Sequence, residues 1–339
     1  MRSRRLLRRA VTATAAAATL AAVALTAAAP ARAADTVRFN LAWLPQGSTS
    51  GVLVAIAKGY YTEAGLDVSA MRGYGGQRTV NEIDQGLFEF GYGDPISVML
   101  NRAQGGKTVM VGAINTRWPA ALCYVEKPGR KIKTIADLKG LVIGGGAASP
   151  LHNVVPAWLA ANNLPADYVK LLRLDPAVIN TAFLDGSIDL AECWEGANKP
   201  VLERMAQKND IKIGALRYRD FKLNLYGNGI VTSEKLIASN PDLVKRFVAA
   251  TYRGYEFQAK NPADAVELIA RQQKLIDKVV LRQQIEETSE LMHAPESAKK
   301  TGYMHEERMQ ATAEFVKKAF GVTAPVKTSE IYTNRFVGE

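Results

Sequence analysis

Strand patterns alternate with helical patterns from residue 37 onward, and this alternation constrains the fold more than any other feature of the sequence. In a first series, strand patterns cover 37–42, 66–68, 89–92 and 108–114, and helical patterns cover 51–58, 79–85 and 97–102. In a second series, strand patterns cover 122–125, 141–143 and 188–193, and helical patterns cover 151–161 and 178–184. Strands that alternate with helices predict an α/β fold with a largely parallel sheet.

The two series share a further pattern, in which a helix is followed by glycine, two residues, an acid and a short apolar strand. This pattern occurs at 86–91, with Glu89 as the acid, and again at 186–191, with Asp189 as the acid. A turn rich in small residues also joins strand to helix at 43–51 and at 144–149. Two similar units are too few for a solenoid, and together with the chain length they indicate two α/β lobes.

The N-terminal segment has the composition of an export signal. Residues 1–9 hold five arginines and no acid, residues 10–29 are an Ala/Val/Leu/Thr run, and Ala31-Arg32-Ala33 matches the small-x-small cleavage pattern. We expect cleavage near Ala33/Ala34 and a periplasmic mature chain. A retained anchor is disfavoured because the alanines and threonines make the run only weakly hydrophobic. The segment 3–7 resembles the twin-arginine pattern, so general secretion and twin-arginine export both stay open.

The charge balance gives no nucleic-acid footprint once the signal is set aside. The whole chain carries a formal net charge of +10, and six arginines but no acid lie in residues 1–33, which leaves about +4. The remaining basic residues are interspersed with acids instead of clustering, and no later segment is long and apolar enough to cross a membrane. We therefore expect no nucleic-acid partner, no stable membrane insertion, and a monomer.

Cysteine and histidine usage gives no framework for disulfides or metals. Cys123 and Cys193 could pair in an oxidising compartment, but two cysteines at these positions are not a disulfide framework, so the sequence favours unpaired cysteines and leaves a bridge open. The histidines, His152, His293 and His305, lie far apart in the sequence. No Cys/His cluster has metal-ligand spacing, so no metal site is predicted.

Ligand-binding residues are expected where the strands end, because open α/β sheets bind ligands outside the carboxyl ends of their strands. The candidates at strand ends are Trp43, Gln46, Ser48, Thr49, Tyr92 and Asp94 in the first unit, and Gly145, Gly146, Ser149, His152, Trp194 and Glu195 in the second. The turns rich in glycine expose backbone N–H groups and a positive helix end, which suit an anion or a polar ligand edge. Neither turn has the lysine of a P-loop or the spaced glycines of a dinucleotide site, which disfavours nucleotide binding.

Each candidate also has a purely structural interpretation. Trp43 and Trp194 could be core aromatics instead of ligand platforms, and Glu195 could be a surface acid. His152 fits an ordinary early-helix residue, and Asp94 could cap the helix that follows it. The chain has no Gly-x-Ser-x-Gly elbow and no close carboxylate pair, so the sequence does not indicate an enzyme.

Several segments resemble one family. The matching segments are Trp43-Leu44-Pro45, Gly51 to Tyr61 with its Lys-Gly-Tyr-Tyr ending, Glu63-Ala64-Gly65-Leu66-Asp67-Val68, Gly186 to Asp189, Trp194-Glu195-Gly196 and Tyr226-Gly227-Asn228-Gly229-Ile230-Val231. They are similar to the periplasmic solute-binding proteins of the NMT1/THI5-like group. That group includes binders of nitrate, taurine, alkanesulfonates and thiamine-pyrimidine precursors, the SsuA, TauA and ThiY types.

The resemblance implies a two-lobed periplasmic binding protein-like fold of type II, with two Rossmann-like lobes joined by a two-strand hinge. Lobe 1 would be discontinuous, with residues 34–118 and 222–339, and lobe 2 would hold residues 119–221. Tyr226 and Asn228 would join the site, which would capture a small molecule by lobe closure. The chain would deliver this ligand to an ABC permease and its ATPase, and would use no cofactor.

The resemblance also bears on the ligand. Trp194-Glu195-Gly196 is similar to the segment with which pyrimidine-precursor binders place a carboxylate against an aminopyrimidine edge, while Trp43 and Tyr92 could stack on the ring. A pocket carboxylate disfavours a sulfonate or nitrate, because burying like charges is costly. We therefore expect a heteroaromatic or amine-bearing ligand, with an aliphatic sulfonate, taurine or nitrate as the alternative. Pyrimidine-related members often have Asp and His where this chain has Ala42 and Thr49, and Thr49 also disfavours the iron-dependent pyrimidine synthases of the family.

Overall fold

The computed structural model describes residues 33–129, 131–146, 149–295, 297 and 300–337. Within it, Thr36–Glu339 form one compact unit. The signal expected at residues 1–33 lies outside the described residues except for Ala33. In the described part of the chain, no helix combines the length and the apolar character needed to span a membrane.

Strands and helices alternate along the chain as the sequence predicts. The strands are β1 (Asp35–Asn40), β2 (Leu66–Met71), β3 (Phe90–Gly93), β4 (Thr108–Ala113), β5 (Ala120–Val125), β6 (Val142–Gly146), β7 (Lys170–Leu174), β8 (Leu190–Trp194), β9 (Ile213–Arg217) and β10 (Gly229–Ser233). The helices are α1 (Ser50–Ala57), α2 (Tyr60–Glu63), α3 (Gly76–Asp84), α4 (Pro95–Ala103), α5 (Leu151–Ala161), α6 (Pro176–Leu184), α7 (Asn198–Lys208), α8 (Glu234–Ser239), α9 (Pro241–Lys260), α10 (Pro262–Gln272), α11 (Lys278–Met292), α12 (Glu306–Phe320) and α13 (Thr328–Ile331).

The strands form two five-stranded sheets with matching topology. The first has the order β2-β1-β3-β10-β4 and the second has the order β7-β6-β8-β5-β9. In the first, β1 runs parallel to β3, while β10 runs antiparallel to β3 and β4. In the second, β6 runs parallel to β7 and β8, while β5 runs antiparallel to β8 and β9. The sheets are therefore mixed, which corrects the expectation of a largely parallel sheet.

The antiparallel strands arise where the chain passes between the two sheets. The chain leaves the first sheet after Ala113 and enters the second at Ala120, and it returns between Arg217 and Gly229. Each sheet with its covering helices forms one lobe, here named the first and the second lobe. Helix α12 packs against α4 of the first lobe and α5 of the second. The lobe boundaries expected at residues 118/119 and 221/222 stay a prediction.

The repeated acid of the two sequence units has a structural role. The Glu89 carboxylate accepts a hydrogen bond from the backbone N–H of Arg38 on β1 at 2.7 Å, and the Asp189 carboxylate accepts one from Val142 on β6 at 2.8 Å. In each lobe the acid before the central strand thus binds the adjacent strand. The glycine that precedes it, Gly86 in the first unit, has a positive φ that ends the helix.

The core of the first lobe is built on an aromatic stack against the long helix α9. The Phe247 ring lies 3.9 Å from the Phe90 ring and 5.2 Å from the Tyr61 ring, measured between centroids. Helix α9 also approaches α1 closely, because a Cβ added to Gly254 would lie 2.0 Å from the Gly51 carbonyl oxygen. Only glycine permits this contact, which fixes α1 and the turn that precedes it on the sheet.

A disulfide joins Cys123 on β5 to Cys193 on β8, with the Cα atoms 5.8 Å apart. This corrects the expectation that the two cysteines are unpaired. Because Ala121 pairs with Cys193 and Cys123 pairs with Ala191, the cysteines are diagonal neighbours on antiparallel strands. Register, which the sequence does not give, brings them together. The bond anchors β8, whose last residue is Trp194.

Candidate functional site

The carboxyl edges of the two sheets meet at one direct backbone contact. The N–H of Ser48, in the turn after β1, donates to the carbonyl of Gly196, in the turn after β8, at 2.9 Å. Gln284 of α11 spans the same two turns, accepting from the Gly47 N–H at 2.9 Å and donating to the Ala197 carbonyl at 2.5 Å. The space beside this contact, between the two carboxyl edges, is here named the cleft.

Trp43 stands on a strained turn at the carboxyl end of β1. Ala42 has φ of 60°, a left-handed conformation that L-residues other than Asn and Asp rarely adopt. The turn is held because the Gly75 N–H donates to the Ala42 carbonyl at 2.7 Å and the Gly73 N–H to the Trp43 carbonyl at 3.3 Å. Trp43 is 39% exposed, so it is not a core aromatic in this structure. Strain of this kind is typical of functional turns.

The other candidates of this turn are buried or half-buried. Gln46 donates to the Ser48 hydroxyl at 3.0 Å, and the Thr49 hydroxyl donates to the Gln46 carbonyl at 3.2 Å. Thr49 is fully buried, so its side chain serves the turn itself. Ser48 is also buried, and its carbonyl accepts from the Tyr255 hydroxyl at 2.7 Å.

Tyr92 reaches the first crossing between the lobes. Its hydroxyl accepts from the Asn115 amide at 3.0 Å and is also hydrogen-bonded to the Ser48 side chain. The other amide atom of Asn115, Oδ1, is buried and has no partner among the described residues. Asp94 caps α4, since its carboxylate accepts from the Ser97 N–H at 2.8 Å and from the Ser97 hydroxyl at 3.1 Å. The capping interpretation of Asp94 is therefore confirmed.

In the second lobe, the glycine run belongs to a strand. Gly145 and Gly146 lie in β6, which corrects the expectation that a turn begins at Gly144. Ser149 follows, and its hydroxyl donates to the Glu192 carboxylate. A Cβ on Gly145 would lie 3.5 Å from Glu192 Oε2, so the strand end and this carboxylate are in contact distance.

Glu192 is the buried acid of the second lobe that has no cationic partner among the described residues. Its carboxylate accepts hydrogen bonds from the hydroxyl of Ser149 and the indole N–H of Trp194. Burial nevertheless raises its pKa to about 7, because these two bonds do not replace full hydration. Burial also raises the pKa of Tyr218, and the charge of Glu192 adds to that rise. The Tyr218 hydroxyl is buried without a described partner, so the two groups form a polar, incompletely bonded cluster.

Glu195 has a different environment. It is buried, but its carboxylate accepts from Arg217 Nε at 2.7 Å and from Arg219 Nη2 at 3.0 Å, with a further bond to Arg219 Nη1. The pKa of Glu195 is lowered, because these bonds and charges outweigh the effect of burial. A ligand role for Glu195 stays a prediction, but its charge is already compensated by two guanidinium groups.

Trp194 ends β8 beside the first crossing. Its ring makes an edge contact with Trp118, with centroids 5.2 Å apart. The Trp118 indole Nε1 is buried without a described partner, and the Trp118 carbonyl accepts from Arg219 at 3.2 Å. Tryptophan and arginine side chains of the second lobe thus pack directly against the crossing segment.

The remaining candidates lie apart from this cluster or act through the backbone. His152 lies in the first turn of α5, with its Nε2 buried and without a described partner. Tyr226 packs against the C-terminal segment, since its hydroxyl accepts from the His305 N–H at 2.7 Å and Arg308 lies over its ring at 4.5 Å. The Asn228 carbonyl accepts from the backbone N–H of Asn115 at 2.8 Å.

Glu192, Tyr218 and Asn115 are the residues that sequence reasoning missed. One signal was available for Glu192: it is the charged residue within an otherwise apolar strand, and strand alternation sets Glu192 and Trp194 on the same face. No local signal marks Asn115 or Tyr218, because each is distinguished by a buried polar atom without a described partner, which depends on tertiary packing. In the described part of the chain, no three His, Cys, Asp or Glu side chains are grouped to hold a metal ion.

Comparison with known proteins assigns a family. The NMT1/THI5-like family model matches residues 46–265. Among relatives, the riboflavin-binding protein RibY of Chloroflexus aurantiacus is 28% identical over 89% of this chain and 86% of its own length. A 4-amino-5-hydroxymethyl-2-methylpyrimidine phosphate synthase of Candida albicans is 24% identical over 68% of this chain and 69% of its own. A formylaminopyrimidine-binding protein of Halalkalibacterium halodurans is 21% identical over 76% of each chain.

Solved structures agree on the fold. The periplasmic aliphatic sulphonate binding protein SsuA of Escherichia coli superposes with a TM-score of 0.65 at 18% identity, covering 90% of this chain and 92% of that one. At this sequence identity, the superposition shows a shared fold and nothing about the ligand. The chain therefore belongs to the NMT1/THI5-like family, and it has the two-lobed type II fold of periplasmic binding proteins.

Proposed function

We propose that this chain is the substrate-binding subunit of an ABC importer, and that it captures a small heteroaromatic or amine-bearing molecule in the cleft by lobe closure. The family match and the binding-protein relatives support the transport role. In this proposal the chain is exported, and the permease and ATPase are its partners. The lobes meet where Ser48 contacts Gly196, so a ligand between the carboxyl edges touches both lobes at once.

The observation that carries the ligand class is the buried carboxyl of Glu192. It lies on β8 two residues before the strand ends, bonded to Ser149, with no cation to compensate it among the described residues. An N–H donor or an amine of a ligand would complete its hydrogen bonds, whereas a sulfonate or nitrate would add like charge. In this respect Glu192 takes the role that the sequence assigned to Glu195.

Buried polar groups without described partners, at the first crossing and in the second lobe, would define the rest of the edge that the ligand presents. The indole N–H of Trp118 can only donate, the Asn115 Oδ1 can only accept, and the Tyr218 hydroxyl can do both. Buried polar groups of this kind are costly unless bonded, so a ligand with alternating N–H and C=O groups would stabilise the closed form. Heteroaromatic lactams and aminopyrimidines have such edges. Trp43 is the aromatic platform in this proposal.

We infer binding without chemical conversion of the ligand. The first-lobe turn has Thr49 where pyrimidine synthases of the family would have histidine, and Thr49 is fully buried with its hydroxyl bonded to the backbone of Gln46. A side chain in that position has no free group to offer a ligand. Product formation during prolonged incubation with pyrimidines, iron and pyridoxal phosphate would contradict this part of the proposal.

A thermal-shift screen of residues 34–339 tests the ligand class. The panel is riboflavin, lumichrome, hydroxymethylpyrimidine, formylaminopyrimidine, taurine, an alkanesulfonate and nitrate. A ligand at a hundred times its dissociation constant stabilises the folded protein by about 2.7 kcal/mol. Wild type is compared with Glu192→Gln and with Glu290→Gln, which changes an exposed glutamate. We expect a heteroaromatic hit that weakens in Glu192→Gln alone. Hits confined to sulfonates or nitrate, unchanged or improved in Glu192→Gln, would support the anion alternative instead.

A further inference from the structure

The outer rim of the cleft differs from its inner end. The crossings join β4 to β5 and β9 to β10, so these strands lie at the hinge side of their sheets. Strands β2 and β7 lie at the opposite edges, farthest from the hinge. Their carboxyl ends therefore mark the mouth of the cleft. The outer rim is here defined by Met71, Arg72, Tyr74, Leu172, Arg173 and Val178.

The outer rim exposes large apolar side chains from both lobes. Tyr74 is 54% exposed, Met71 48%, Val178 48% and Leu172 42%. Trp43 adjoins this group, because its carbonyl is bonded to Gly73, the residue before Tyr74. Single exposed apolar residues are common, but a group at a cleft mouth is typical of a binding surface.

The outer rim is also positive. The guanidinium of Arg72 lies 4.8 Å from the centroid of the Tyr74 ring, and that of Arg78 lies 5.0 Å from it. Arg78 is bonded to Glu82 at 2.7 Å, whereas Arg72 forms no ion pair with any residue that the structure describes. On the opposite lobe, Arg173 lies one residue before the carboxyl end of β7. Positive charge thus reaches the cleft mouth from both sides.

The inner end of the cleft has an acidic group, Glu192, whereas the outer rim is positive, and the strand order gives the distance between them within the second lobe. Glu192 lies on β8, and β7 lies two strands away across β6. Strands are spaced by about 4.8 Å, so the strand that carries the inner carboxyl and the strand that carries Leu172 and Arg173 of the outer rim are roughly 10 Å apart. A single pyrimidine ring is too short to reach both, whereas two or three fused rings with a side chain can.

We propose that the outer rim is a second subsite, which binds an acidic substituent at the end of the ligand away from Glu192, with Tyr74 against the adjoining apolar part. This inference rests on the proposed capture of a heteroaromatic ligand. The guanidinium of Arg72 would bind the acid, a phosphate or a carboxylate, through charge-assisted hydrogen bonds. The Arg72 guanidinium stacks on the Tyr74 ring, and this contact orients its N–H donors, so that less side-chain entropy is lost on binding. The ligand would then enter with its N–H edge first and its acid toward solvent.

Two pairs of flavins test the phosphate and the carboxylate separately on the same ring system. Riboflavin is compared with flavin mononucleotide, which adds a phosphate, and lumiflavin with 10-carboxymethylflavin, which adds a carboxylate. Each is titrated by fluorescence into wild type, Arg72→Gln and Arg253→Gln. Arg253 is the charge-matched control, because it also stacks on a tyrosine of the first lobe, the half-buried Tyr60, at 4.1 Å, and its loss changes the net charge equally. Unlike Arg72, it also pairs with Glu63 at 2.7 Å.

We expect wild type to bind at least one acid-bearing flavin about tenfold more tightly than its neutral partner. The ratio should fall to about one in Arg72→Gln and persist in Arg253→Gln. Neutral and acidic partners that bind equally to wild type, or a preference that survives Arg72→Gln, would overturn the second subsite and leave the proposed function intact. If no flavin and no pyrimidine of the thermal-shift panel binds to wild type, the proposed ligand class and this inference both fail.

Discussion

Ser48 donates its backbone N–H to the Gly196 carbonyl at 2.9 Å, and this bond joins the turn after β1 to the turn after β8. The first turn follows the second strand of its sheet, and the other turn follows the central strand of its sheet. Their contact brings the strained Trp43 turn of the first lobe close to the end of the strand that carries Glu192 and Trp194. The carboxyl edges of the two lobes are therefore in direct contact.

Gln284→Ala is expected to shift the chain toward an open form. The Gln284 amide accepts from the Gly47 N–H and donates to the Ala197 carbonyl, so its loss leaves one buried and one half-buried backbone group without these partners in the closed form. Such a loss costs about 1–3 kcal/mol. Small-angle scattering of the ligand-free variant should give a larger radius of gyration than wild type. Gln310→Ala, which removes an exposed bond within α12, is the control. Equal radii for all three proteins would contradict this role of Gln284.

Glu192 should make stability depend on pH. Its pKa is about 7 in the folded chain and 4.5 ordinarily, because burial favours the neutral acid. The neutral form stabilises the fold fully below pH 4.5, and this contribution is lost as the pH rises to about 7. Urea unfolding between pH 4.5 and 7.5 should show a decline of about 1–3 kcal/mol in wild type that is absent from Glu192→Gln. Glu290→Gln, at an exposed position, should follow wild type. Parallel pH profiles for Glu192→Gln and wild type would refute the assignment.

Arg219→Ala should destabilise the fold through Glu195. The Glu195 carboxylate is only 6% exposed and would keep Arg217 alone as its cationic partner. Removing one partner of a buried ion pair leaves a poorly compensated charge, at a cost of about 3 kcal/mol. The double variant Glu195→Gln/Arg219→Ala should recover part of this loss in urea unfolding. Arg282→Ala breaks an exposed pair with Glu286 and should cost less than about 0.5 kcal/mol. If the double variant is no more stable than Arg219→Ala, uncompensated charge is not the cause.

The disulfide should contribute a large share of the stability. Cys123 and Cys193 are separated by 70 residues, and closing a loop of that length restricts the unfolded chain by about 4 kcal/mol. The double variant Cys123→Ala/Cys193→Ala should unfold at lower urea concentration than wild type. Dithiothreitol during unfolding should bring wild type down to the double variant and leave the double variant unchanged. A dithiothreitol effect of equal size on the double variant would contradict the bond as its origin.

Local sequence patterns predicted the helices and strands and the repetition of the α/β unit. The helix at 151–161 has the predicted bounds, and the repeated glycine and acid occupy equivalent places before β3 and β8. These features depend on periodicity, turn residues and helix ends, which act over a few neighbouring positions. The glycines at 144–146 were misassigned to a turn, because their strand pairing with β7 and β8 overrides their local preference.

The sequence predicted the strand ends at which the candidate residues lie, but it did not predict which buried acid there lacks a cationic partner. Tyr92 and Trp194 lie in the last two positions of their strands, while Trp43, Ser48 and Ser149 follow strands. The rule for open sheets therefore selected them as candidates, and their ligand roles stay a prediction. The sequence favoured Glu195 over Glu192 because burial and compensation depend on distant partners. Arg217 and Arg219 lie more than twenty residues beyond Glu195 in the chain, and they neutralise it, while Glu192 has no such partner among the described residues.

The sequence by itself determined the α/β class, the two related units and the strand ends at which the candidate residues lie, because each follows from short-range periodicity. The tertiary structure alone decided strand direction at the crossings, the Cys123–Cys193 bond and which buried acid stays uncompensated. Those outcomes depend on contacts between residues tens to hundreds of positions apart, such as Gln284 with Gly47. The free energy of such contacts arises from register and packing, which no local pattern specifies.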